Sequence, residues 1–161
     1  AVCAAVDHAG PVYVRLGRAE VEDIHGDDYA FKWGKGELLR DGGDVTIFAT
    51  GIMVAKALAA AGELAAAGIS ARVVNIHTIK PLDEELVIAS ARKTGKVITA
   101  EEHSVIGGLG SAVAEVLARS CPTKQAFVGI QDTFGESGSP EDLLEKYGLT
   151  AEAIVKAAKV L

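Results

Sequence analysis

Residues Val97 to Arg119 constrain this chain more than any other stretch. The β-branched run Val97-Ile98-Thr99 leads through Glu101-Glu102-His103 to a turn at Gly107-Gly108-Leu109-Gly110, and Leu109, Val113, Val116 and Leu117 then recur at helical spacing. Strand, tight turn and helix in that order make the unit of an open α/β sheet, whose working surface lies at the carboxyl ends of its strands. The predicted loop carries two carboxylates and an imidazole, which makes Glu101, Glu102 and His103 candidate site residues.

The unit repeats along the chain. Val45 to Thr50 precedes a helical pattern over Ile52 to Ala67, and Ala71 to Ile76 precedes one over Pro81 to Thr94. Lys96 to Ala100 precedes Leu109 to Arg119, and Ala126 to Gln131 precedes two closing helices. Helices of this length between strands require right-handed crossovers and parallel pairing. Glu37 to Arg40 is a further short strand, joined to the next by Asp41-Gly42-Gly43 with the signature of a hairpin, and is expected antiparallel at one edge. Ser139, Pro140, Glu141 and Asp142 mark the start of the first closing helix and Gly148 its end. Thr150 caps the second, with Ile154, Val155 and Ala158 facing inward. The helix from Ile52 to Ala67 carries alanine on nearly all sides, suited to close packing on a sheet or to meeting a partner.

Upstream, residues to about Asp7 read as a helix already under way at Ala1, and Val12 to Leu16 alternates as a strand after Gly10-Pro11. The stretch that follows, to Gly36, is polar and glycine-broken and reads as a linker. A chain opening inside a helix without methionine is expected to be a section of something longer. Its 161 residues, 49% of them apolar, suffice for one folded domain with some excess.

Composition narrows the function classes. Lysine and arginine total 16 against 22 acids, for a net charge of −6 with no basic cluster and 5% aromatic residues, which argues against nucleic-acid binding. Cys3 and Cys121 lack ligand spacing and are expected as reduced thiols in a cytoplasmic protein. Lys56 and Glu63 interrupt the longest apolar run, so no segment reads as membrane-spanning, and Asp7 and His8 cut short any leader-like opening.

The strand ends would bring Thr50, His77, Glu101, Glu102, His103 and Asp132 to one edge, a set with the groups for metal or acid/base work but without ligand spacing. Solvated polar loops are the better account of them, and no metal site is expected. Gly108-Leu109-Gly110 with Asp132 about twenty residues on mimics a dinucleotide fingerprint, but Val113 stands where a small residue belongs and two carboxylates precede the glycines. His77 and Lys80, in the exit Asn75 to Asp83, are candidate contacts, with Pro81 placed in the first helical turn. Arg15 and Arg18 stand at the end of the first strand, where a guanidinium would clamp a phosphate or bridge two domains.

Taken together, Gly10-Pro11-Val12-Tyr13-Val14-Arg15-Leu16-Gly17-Arg18, the Ile76 to Asp83 exit, Glu101 to Gly110, and Phe134-Gly135-Glu136-Ser137-Gly138-Ser139-Pro140 through Thr150 resemble transketolase. The resemblance is to the C-terminal section of transketolases split into two chains, and it extends to 1-deoxyxylulose-5-phosphate synthase and to 2-oxoacid dehydrogenase β-subunits. It implies that residues 1–18 are the tail of a pyrimidine-binding domain, 19–36 a linker and 37–161 the family's C-terminal domain. That domain is a three-layer α/β/α sandwich around a mostly parallel five-stranded sheet with one antiparallel edge strand.

The resemblance further implies two-carbon ketol transfer between sugar phosphates, using thiamine diphosphate and a divalent cation such as magnesium or calcium. Both are held by the complete enzyme and neither by this section, which carries no catalytic residue of the family. Arg18 stands at the family's substrate-phosphate arginine. His77, Glu101, Glu102, His103, Gly107, Gly108 and Gly110 are candidate interface residues, because the family uses this domain in homodimer contacts. The partners implied are the transketolase N-terminal section and the rest of the pyrimidine-binding domain, with neither nucleic acid nor membrane. A stand-alone interaction or ligand-binding module is the reading of another class.

Overall fold

The computed structural model describes residues 1–17, 20–26 and 28–161. After a short helix, α1 (Val2–Val6), the order is β1 (Glu37–Arg40), β2 (Val45–Ala49), α2 (Met53–Ala66), β3 (Ala71–Asn75) and α3 (Glu84–Thr94). There follow β4 (Lys96–Ser104), α4 (Leu109–Ser120), β5 (Lys124–Ile130), α5 (Pro140–Lys146) and α6 (Ala151–Val160). The five strands form one sheet in the order β1-β3-β2-β4-β5, with β1 antiparallel to β3 and every other pairing parallel.

The sheet is covered on both faces, which is why β2 and β3 are buried along their whole length. On one face Ile47, Val73, Ile98 and Val128 pack with α2 and α6. On the other, Phe48, Val74 and Val97 pack with Val87 of α3 and with Leu109, Val113 and Val116 of α4. The three layers expected from the sequence are therefore present. Along α2, Ala57, Ala60, Ala61 and Leu64 are buried on one side and Ala59 and Ala65 are exposed on the other. Small side chains let the sheet and α6 both approach this helix within the same chain.

Four local expectations are corrected. The segment Val12–Leu16 forms no strand; it pairs with no described segment, and Tyr13 and Leu16 stand 88% and 75% exposed. The β1–β2 connection is not a hairpin, because β1 lies beyond β3. At that crossing Gly42 passes against the backbone of Ala71 with no room for a side chain, and Asp41 receives hydrogen bonds from Arg72 and Lys93. Helix α3 starts at Glu84, three residues after Pro81, because the Asp83 carboxylate caps it by accepting from Leu86 N at 3.2 Å. Finally, β4 runs on to Ser104, so Glu101, Glu102 and His103 belong to a strand and not to the loop.

The closing helices follow their signals. Ser139 accepts from Asp142 N and Thr150 from Ala153 N, Pro140 is the first residue of α5, and Gly148 turns at φ +68° after it. Among the described residues no helix is long and apolar enough to cross a membrane.

Candidate functional site

The carboxyl end of β4 meets the start of α4 through one buried side chain. Glu101 is 2% exposed, and its two oxygens accept from Leu109 N and Gly110 N at 2.7 Å each. The first turn of a helix presents backbone donors without intrahelical partners, together with the positive end of the helix dipole. Here an internal carboxylate takes that place, so the dinucleotide-like glycines hold no free anion cradle. Gly108 lies so close to the Glu101 carboxylate that a Cβ would overlap it, and a Cβ on Gly110 would stand 2.5 Å from Phe127 Cδ1. Close approach, rather than an unusual backbone angle, requires glycine at both positions. Gly107 supplies the turn itself, at φ +80°, with its N–H donating to Ser111 Oγ at 2.8 Å.

Glu102 and His103 project outward beside Glu101, where the β4–β5 register is irregular, and both are exposed. His103 Nδ1 donates to the Ser104 carbonyl at 2.9 Å. Glu101 and Gly110 are inside the domain, so they bear on an interface only by holding the loop between them.

His77 is elsewhere. It is half-buried where the 20–36 stretch meets the domain, 4.6 Å from the Phe31 ring and 2.8 Å from Thr78 Oγ1. Burial pushes its imidazole pKa down, partly opposed by the Glu37 carboxylate. Phe31 also meets Trp33 edge-on at 5.4 Å, and His25 stacks on Tyr29 at 3.8 Å. Asp83 ties the same seam by accepting from Gly36 N at 3.1 Å. The set Thr50, His77, Glu101, Glu102, His103 and Asp132 thus does not act as one site. Among the described residues no group of three His, Cys, Asp or Glu side chains is placed to hold a metal ion.

Lys80, Arg15 and Asp132 are exposed, and Arg18 lies outside the described residues. A second organised feature follows β5. Tyr147 OH donates to the Phe134 carbonyl at 3.2 Å and to Glu136 Oε1 at 2.9 Å, and Lys146 pairs with Glu136 at 2.7 Å. The Lys146 hydrogen bond holds the Glu136 carboxyl below its usual range. These ties fix a loop whose Phe134 is 98% exposed. Phe127, at the edge of the sheet, is not among the residues singled out from the sequence. The alternation Gln125, Phe127, Gly129 already set it on the face of Gly110.

Residues 34–154 match the family model described as transketolase, C-terminal domain. A 6-deoxy-6-sulfo-D-fructose transketolase subunit from Clostridium sp. strain MSTE9 is 59% identical over 151 residues, covering 94% of this chain and 47% of that protein. A 1-deoxy-D-xylulose-5-phosphate synthase from Heliobacterium modesticaldum is 43% identical over 162 residues, or 98% of this chain and 25% of that protein. Among solved structures, a split gene transketolase described as an inactive β4 tetramer superposes with a TM-score of 0.96 at 56% identity, covering 99% of this chain and 52% of its own. The chain spans about half the length of the transketolase relatives and a quarter of the synthase.

Proposed function

The chain belongs to the transketolase C-terminal domain family, and from that premise we propose that it completes a thiamine-diphosphate-dependent transketolase without holding the cofactor. The assembled enzyme moves a two-carbon ketol unit between sugar phosphates. Residues 37–161 are its C-terminal domain, residues 1–18 the tail of its pyrimidine-binding domain and 19–36 the link between them. The partners are the N-terminal section, the rest of the pyrimidine-binding domain and a second copy of this chain.

One observation carries the division of labour. The helix start that most resembles a diphosphate cradle is already filled by Glu101, whose two oxygens take the Leu109 and Gly110 donors. A second anion there would meet a buried like charge. The described residues also offer no set of three ligands for the divalent cation. The Leu109 and Gly110 donors therefore do not fit the diphosphate of thiamine diphosphate.

Arg18 is the residue we assign to the substrate. Its guanidinium would hold the terminal phosphate of the sugar by paired hydrogen bonds. In the complete enzyme Arg18→Ala should weaken phosphorylated substrates by about 1.5–3 kcal/mol, the range for a hydrogen bond to a charged group. Steady-state kinetics with phosphorylated and unphosphorylated ketoses checks it, since an equal loss for both would make Arg18 a bridge between domains. The second reading, 1-deoxyxylulose-5-phosphate synthase, has its support in the Heliobacterium relative. Product analysis separates the two: a transketolase lengthens an aldose by two carbons and does not form 1-deoxyxylulose 5-phosphate.

A further inference from the structure

The stretch between Glu20 and Gly36 has a linker's composition, with Gly26, Gly34 and Gly36, yet its described residues are tied to the domain at short intervals. Ile24 packs at the edge of one core. His25 stacks on Tyr29, and its Nε2 stands 3.5 Å from the Glu37 carboxylate. Two turns follow, closed by Tyr29 N donating to the Gly26 carbonyl at 3.1 Å and by Lys35 N donating to that of Lys32 at 3.3 Å. The second turn carries Gly34, at φ +63°, against Pro81. A Cβ on Gly36 would stand 2.8 Å from Leu86 Cδ2, so this glycine is fitted to the domain surface. Asp83, 7% exposed, ends the run: one of its oxygens accepts from Gly36 N while the other caps α3. In a flexible linker glycines leave the backbone free, whereas here they seat it.

Trp33 is where this run meets the residues ahead of it. Its ring meets Phe31 edge-on at 5.4 Å, and Phe31 lies against His77, just beyond the end of β3. On its other side the Trp33 ring meets His8, again edge-on, at 5.3 Å. One side chain thus touches both the segment that begins with α1 and the seam of the sheet domain. We propose that Trp33 is a positioning residue: held between His8 and Phe31, it fixes where the tail of the pyrimidine-binding domain stands on the C-terminal domain. The run from Glu20 to Gly36 is then a strap and not a loose tether. This rests on the reading of residues 1–18 as that tail. A group on the tail that holds substrate needs such a frame, because a small misplacement far from the chemistry is costly.

Spin-label distances on the 161-residue chain test the grip. One label sits on the exposed Cys3 and the other on Glu63→Cys, at an exposed position of α2, in a Cys121→Ser background. The parent should give one narrow distance distribution. Trp33→Ala and His8→Ala should each broaden it several-fold, and Trp33→Phe, which keeps a ring, should narrow it again. All should unfold at the same urea concentration, since neither Trp33 nor His8 is buried. A parent distribution that is already broad, one that Trp33→Ala leaves narrow, or a urea midpoint that falls with Trp33→Ala overturns the proposal. In the complete enzyme Trp33→Ala should raise KM several-fold for phosphorylated ketoses while leaving kcat and the KM of unphosphorylated ketoses nearly unchanged, with rescue by Trp33→Phe. A KM that Arg18→Ala raises and Trp33→Ala does not overturns the positioning role and spares the reading of residues 1–18. A KM that neither variant moves overturns the reading of Arg18, and the distances still decide the strap.

Discussion

Residues 1–36 and residues 37–161 differ in what they bury. No described residue before Glu37 is fully buried, and Val2, Val6, Tyr13, Leu16 and Val21 are all more than half exposed. Beyond Glu37 the same kinds of side chain are shut inside two cores, one on each face of the sheet. Burial of apolar surface at roughly 25 cal/mol per Å² is the main force available to a fold of this size, so the second region can hold itself together and the first cannot. Ile24 packs against the edge of one core, but residues 1–17 place no side chain in either, as the tail role proposed for residues 1–18 requires.

The largest losses should therefore come from inside the second region. Glu101→Ala leaves two buried N–H donors, of Leu109 and Gly110, without acceptors. At about 1–3 kcal/mol for each unsatisfied donor, the variant should lose about 2–6 kcal/mol in urea unfolding. A loss under about 0.5 kcal/mol, the range of ordinary surface changes, would show that water replaces the carboxylate and that the helix start is open after all. By contrast, deleting residues 1–18 should change the unfolding free energy by less than about 0.5 kcal/mol, since none of the described side chains in it is buried. A cooperative loss of several kcal/mol on that deletion would erase the difference between the two regions.

The seam between them should respond weakly to pH. Burial holds His77 below the ordinary imidazole value of 6.5. A group whose folded-state pKa is lowered binds protons more readily when unfolded, so stability rises with pH across that window. The His77 contribution is complete above about 6.5 and is lost as pH falls through the lower folded value. Trp33, the single tryptophan, reports on the seam through Phe31 and is also touched by His8 at 5.3 Å. In a His8→Gln background, Trp33 fluorescence should change on acidification from pH 7.5 to 5.5, and His77→Gln should flatten that change. An unaltered response in the His77 variant would show that His77 is not its source.

These contrasts also mark what the sequence made legible. The helices α5 and α6 were readable to the residue because Ser139, Pro140, Gly148 and Thr150 act on their immediate neighbours. The alternation of strands and helices was readable because each crossover is long enough to demand parallel pairing. What escaped depends on distant partners. Asp41-Gly42-Gly43 has hairpin chemistry, yet nothing local reveals that Gly42 must cross Ala71 and send β1 beyond β3. Val12–Leu16 has a strand's alternation without a strand's partner. At the candidate site the carboxylates and glycines are legible in the sequence, but that Glu101 fills the glycine turn is revealed only by its burial and its two hydrogen bonds.

The central claim is that this chain completes a thiamine-diphosphate enzyme without holding the cofactor. Titration calorimetry with thiamine diphosphate and magnesium, on the chain alone and on the complete enzyme, tests it most directly. The account predicts no binding heat from the chain alone and a saturable exothermic or endothermic isotherm from the complete enzyme. Micromolar binding by the isolated chain would contradict it.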